Sequence, residues 1–99
     1  MAIPNTYTKH SLVRVSAEFT LASTDTDPVT VTCYYKDPTG NKTTLVYGTD
    51  AALVKDSTGK YHVDITAATS GYWAYRFEGS GTVTAANEAE FLVLASQLV

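Results

Sequence analysis

Residues 60–79, KYHVDITAATSGYWAYRFEG, limit the possible folds more than any other part of the chain. Tyr61, Val63 and Ile65 alternate with His62, Asp64 and Thr66. After a break at Thr69-Ser70-Gly71, Trp73, Tyr75 and Phe77 alternate with Tyr72, Ala74, Arg76 and Glu78. A side-chain period of two is that of a β-strand with one buried face, because successive Cβ atoms point to opposite sides of the pleat. Both segments are predicted strands. Their large inward side chains, the single Trp among them, need an apolar surface from the rest of the chain.

Further strands supply that surface. Residues 12–21 place Val13, Val15, Ala17, Phe19 and Leu21 on one face and Arg14, Ser16, Glu18 and Thr20 on the other. Residues 29–35 turn Val31 and Cys33 inward, with Val29 and Tyr35 in the same phase. Asp37-Pro38-Thr39-Gly40-Asn41 reads as a turn, since proline presets φ at the first corner and Gly40 tolerates a positive φ. It joins this strand in a hairpin to residues 42–47, where Thr43, Leu45 and Tyr47 share a face. Residues 48–59 are the least regular. Residues 51–54 are read as a short edge strand or a helical turn, and Lys55 and Lys60, bracketing the turn at residues 56–59, as solvated. The last strand, residues 88–94, sets Ala89, Phe91 and Val93 against Glu88, Glu90, Leu92 and Leu94. No amphipathic helix is visible. Six or seven short strands separated by turns predict an all-β, antiparallel β-sandwich, with an open barrel as the alternative.

A chain of 99 residues is one domain that buries about two thirds of its unfolded surface. Its 16 Thr and 7 Tyr suit pleated surfaces. The net charge of −3, without clustered Lys or Arg, predicts no nucleic-acid partner. No run of 18 apolar residues is present, so no membrane span is expected. Residues 1–10 show no signal-peptide pattern, while a disulfide-stapled secreted domain is excluded and secretion itself is not. Cys33 is the single cysteine, which excludes an intrachain disulfide, and its strand position predicts a buried thiol. Residues 1–9 read as a flexible N-terminal arm, residues 10–95 as the sandwich and residues 96–99 as a short tail.

The chemistry-bearing residues are sparse. His62 and Asp64 share the polar face of their strand, but a catalytic dyad also needs a nucleophile and an oxyanion site, and no such motif accompanies them. Glu88 and Glu90 share a face of the last strand, a poor setting for a glycosidase cleft. Asp25 and Asp27 precede Pro28 in a polar loop and fall short of the six to eight oxygen ligands of a calcium site. No phosphate loop, CxxC or HExxH occurs. No catalytic residue, metal site, cofactor or small-molecule substrate is therefore expected. The candidate interface residues are Tyr34 and Tyr72, which fall opposite their buried neighbours, and Leu92 and Leu94, which are too apolar for a plain solvent face. Leu92 and Leu94 are expected to be covered by the N-terminal arm or by another subunit.

Two stretches carry a resemblance, KDSTGKYHVD at residues 55–64 and GYWAYRFEG at residues 71–79. With the strands around them, over residues 12–93, the chain resembles small immunoglobulin-like proteins encoded among the head and tail genes of tailed bacteriophages. The resemblance implies an immunoglobulin-like sandwich. It also implies a non-enzymatic virion component, of the head–tail (neck) region or bound to it, located in the particle or else in the host cytoplasm. Its partners would be other virion proteins or copies of itself. Capsid decoration and a host-surface or carbohydrate-binding module are the alternatives; a small enzyme is the remotest reading.

Overall fold

The computed structural model describes residues 6–98. Ten strands follow in order: β1 (Thr6–Thr8), β2 (Leu12–Glu18), β3 (Thr20–Leu21), β4 (Thr24–Asp25), β5 (Thr30–Lys36), β6 (Lys42–Val46), β7 (Leu53–Ser57), β8 (Lys60–Thr66), β9 (Gly71–Ser80) and β10 (Ala85–Leu94). One sheet has the order β1-β10-β9-β5-β6 and the other β2-β8-β7, while β3 and β4 form a separate two-stranded ribbon. All pairings are antiparallel except that of β1 with β10.

The apolar faces of the two larger sheets meet in one core. Val13 and Val15 of β2, Leu53 of β7 and Tyr61, Val63 and Ile65 of β8 come from one side. Val31 and Cys33 of β5, Trp73 and Phe77 of β9 and Phe91 and Val93 of β10 come from the other. The alternation read at residues 60–79 holds: Trp73 is 6% exposed and stacks on Phe91, with ring centroids 5.8 Å apart and planes 12° apart. Its indole Nε1–H donates to the Thr69 carbonyl at 2.9 Å, which satisfies the one polar atom this side chain carries into the core.

Several expectations need correction. The strand predicted over residues 12–21 ends at Glu18. Phe19 stays buried, but its N–H donates to the Gly59 carbonyl at 2.7 Å and its carbonyl accepts from the Thr26 N–H at 3.0 Å. The chain then leaves the sheet for the β3–β4 ribbon, turning through Ala22 and Ser23 at φ of 53° and 68°. Leu21, expected inward, is 52% exposed. Alternation predicts a face only while the backbone stays in one sheet. For the same reason Val29 and Tyr47, which lie beyond the ends of β5 and β6, are 75% and 44% exposed.

Residues 6–8, assigned to the flexible arm by sequence, form β1 along the edge of β10, in the register Thr6–Leu92, Tyr7–Val93 and Thr8–Leu94. Tyr7 turns inward and meets Phe91 edge-on, with centroids 5.7 Å apart. Three residues are too few to display a period. Residues 1–5 of the expected arm, and Val99 of the tail, lie outside the described residues. The irregular stretch before residue 60 contains an edge strand, β7, which overlaps the expected segment at Leu53 and Val54 and runs on to Ser57.

Lys55 and Lys60 are not simply solvated. Lys55 Nζ donates to Asp27 at 2.6 Å, and the same carboxylate accepts from the Gly59 N–H at 2.8 Å and the Tyr61 hydroxyl at 3.2 Å. The Lys55 hydrogen bond, followed by that of Gly59, holds the Asp27 carboxyl below its ordinary range. Gly59 has φ of +76°, and a Cβ there would stand 2.6 Å from the Phe19 carbonyl oxygen. Asp27 and Gly59 together clamp the loop before β5 to the β7–β8 turn. Lys60 lies 3.9 and 4.0 Å from Asp25 and Glu18.

Candidate interaction surface

Tyr34, Tyr72, Leu92 and Leu94 all lie on the outer face of the five-stranded sheet, because each occupies the strand position opposite an inward residue. Tyr72 is 65% exposed and is the cross-strand partner of Leu92. Leu92 is half-buried, and Leu94 is 48% exposed. The described part of the arm, β1, is not laid over either Leu. β1 lies beside β10 in the plane of the sheet, so its pairing satisfies backbone groups and leaves the outward side chains facing away from the core. Tyr72, Leu92 and Leu94 therefore form an apolar corner.

Tyr34 is in a different setting. It is half-buried, and Lys42 Nζ sits 4.7 Å from its ring centroid. A cation over an aromatic face is attracted by the ring quadrupole. The neighbouring Glu78 carboxylate pushes the Tyr34 phenol above its ordinary value. Glu78 itself accepts from Arg76 Nε at 2.8 Å, which holds its carboxyl below the usual range. Between these groups lies an open depression of about 360 Å³, floored by Ala74 and walled by Tyr34, Lys36, Lys42, Arg76 and Glu88. A second depression, of about 400 Å³, adjoins it beside Thr32, Glu78 and Ala86 on the same outer face.

The opposite outer face carries the His62 cluster. Although it projects from the polar side of β8, His62 is only 7% exposed, so of the structural and solvent-facing roles its position allowed, the structural one holds. Its Nδ1 lies 2.7 and 2.8 Å from the two carboxylate oxygens of Asp56, so Nδ1 carries the proton and donates. Sequence spacing suggested Asp64 as the contact, but Asp64 lies 3.9 Å from Nε2 and accepts two hydrogen bonds from Arg14, at 2.8 and 3.1 Å. Asp56 reaches His62 because β7 pairs with β8, which the local sequence does not reveal. Among the described residues no group of three His, Cys, Asp or Glu is placed to hold a metal ion. No helix among them is long and apolar enough to cross a membrane. Cys33 is fully buried, and burial pushes its thiol up to about 12.

Comparison with protein-family models finds no match, and neither does comparison with curated proteins. Among solved structures, the chain is similar to a crystal structure described as a "putative glycoside hydrolase" from Bacteroides vulgatus ATCC 8482. The TM-score is 0.61 at 14% identity, and the alignment covers 95% of this chain but 17% of that one. The likeness is one of fold: the same arrangement of strands occupies a domain-sized part of a much longer chain.

Proposed function

We propose that this chain is an immunoglobulin-like β-sandwich acting as a non-enzymatic interaction module, a component of the head–tail region of a tailed-bacteriophage particle. The apolar corner of Tyr72, Leu92 and Leu94 carries the reading. Among the described residues, three large side chains of one outer face lie together, at the end of a sheet whose edge strand is not laid over them. Burying one such side chain contributes roughly 1.5–3 kcal/mol, so a partner that covers the corner gains a substantial hydrophobic term. The sheet order, with a five-stranded layer opposite a β2-β8-β7 layer, supports the immunoglobulin-like description. The resemblance at residues 55–64 and 71–79 supports the phage setting.

Mass spectrometry of purified particles tests the virion assignment, with the protein expected among their components; its absence removes that assignment. A Leu92→Asp, Leu94→Asp double variant is expected to fold and to fail to join its assembly. Normal assembly by that variant moves the interface away from β10.

A carbohydrate- or host-surface-binding module is the second reading, favoured by the description of the Bacteroides vulgatus protein. Tyr34 is poorly suited to stack on a sugar while Lys42 occupies its ring face, which leaves Tyr72 as the aromatic platform. Glycan titration that Tyr72→Ala abolishes supports this reading; equal response of parent and variant removes it.

A further inference from the structure

Strand order arranges the charges on the outer face of the five-stranded sheet. In one cross-strand row, β10 contributes Glu90, β9 Ala74, β5 Lys36 and β6 Lys42. In the next row the same strands contribute Glu88, Arg76, Tyr34 and Thr44. The centre is self-compensated, because Arg76 pairs with Glu78. The flanks are not. Lys36 and Lys42 are direct cross-strand partners on one flank, an arrangement that destabilises an isolated sheet. Glu88 and Glu90 share the other. Among the described residues neither Lys36 nor Glu90 is in an ion pair. The face is thus positive over β5 and β6 and negative over β10, with its dividing line along β9.

We propose that this face binds a second copy of the chain, in a symmetric dimer whose two-fold axis lies in the interface parallel to β9. Such an axis brings β10 of one copy over β5 of the other at the same level along the strands. Glu90 then meets Lys36 of the partner subunit. Glu88 meets Lys42 of the partner subunit, which is already poised over the Tyr34 ring. Each contact occurs twice. An axis running across the strands would instead set lysine flank on lysine flank. Ala74 falls on the proposed axis, where its small side chain lets the two sheets approach. Tyr72, one row further along the axis, is covered by its own symmetry mate. With strands about 4.8 Å apart and 3, 10, 10, 7 and 5 residues long in sheet order, the face is on the order of 550 Å², so two copies bury about 1,100 Å² in total, the lower end of specific interfaces.

This inference rests on the reading of the face as a protein-contact surface, and its test is separable from that reading. Light scattering coupled to size exclusion, over a concentration series in low salt, is expected to show a dimer that high salt weakens. Lys36→Glu and Glu90→Lys each set like charges together at both symmetry-related contacts. Each is expected to raise the dimer dissociation constant by about a hundredfold, about tenfold per contact. The deciding arm mixes the two variants. In the mixed pair both contacts are again opposite in sign, so chains that are monomeric alone are expected to dimerise together. An ion pair within one chain cannot produce that result. A parent chain that stays monomeric in low salt overturns the dimer, as do single variants that remain dimeric or a mixture that remains monomeric. A monomeric parent that still joins particles overturns the dimer and leaves the interaction module standing. A dimer absent from particles supports this inference and removes the virion assignment.

Discussion

Trp73→Ala removes the side chain that ties β9 to its neighbour β10 on the core face of the five-stranded sheet. The indole is 6% exposed, stacks on Phe91 at 5.8 Å and lies 6.4 Å from the Tyr35 ring. A buried aromatic of this size covers about 150–250 Å². At about 25 cal/mol per Å² that is about 4–6 kcal/mol, an upper estimate because the unfolded chain already shields part of it. The expected loss is therefore about 3–5 kcal/mol, the usual range for truncating a large core aromatic. A 99-residue domain has a net stability of about 5–15 kcal/mol, so the variant is expected to be marginal. Guanidinium denaturation followed by far-UV circular dichroism measures it without the Trp fluorophore, and the midpoint is expected about 1 M below the parent's. Trp73→Phe separates packing from hydrogen bonding. It keeps a ring against Phe91 and loses the donor to the Thr69 carbonyl, at a cost of about 1–2 kcal/mol. An unchanged midpoint for Trp73→Ala refutes the placement of Trp73 at the centre of the core. Equal losses for both variants refute the claim that ring packing dominates.

Asp27 has a folded-state pKa below its unfolded value, so its contribution is present above the unfolded pKa and is lost as pH falls through the folded one. Asp27→Asn is expected to lower the denaturation midpoint at neutral pH and to remove part of the parent's acid sensitivity; parallel pH profiles argue against the clamp. Gly59→Ala meets the Phe19 carbonyl oxygen at 2.6 Å in addition to its φ of +76°, whereas Gly40→Ala, at +97°, meets nothing within 4 Å. The Gly40 variant is expected to lose about 1–2 kcal/mol and the Gly59 variant more, with the order of their denaturation midpoints as the check. The Cys33 thiol, buried and raised to about 12, is expected to resist aromatic disulfide reagents at mildly alkaline pH until the chain unfolds. Rapid labelling of the folded protein rules out the sealed core around β5.

The period-two alternation of Tyr61–Ile65 and of Trp73–Phe77 is a property of single strands, and sequence alone assigned both faces. It also placed Tyr34, Tyr72, Leu92 and Leu94 on outward faces, because facing within a strand depends only on parity. Parity fails where the backbone leaves its sheet, and Leu21 and Val29 were misread for that reason. It is also silent on segments as short as β1. Which strands lie side by side was decided by tertiary structure. β7 beside β8 put Asp56 on His62, a partner that local spacing could not identify. The β10-β9-β5-β6 order put Lys36 beside Lys42 and Glu90 on the far flank. Side-chain parity is set by bonds between neighbouring residues, whereas strand order is set by how the whole apolar surface is buried at once, and no single stretch of residues encodes it.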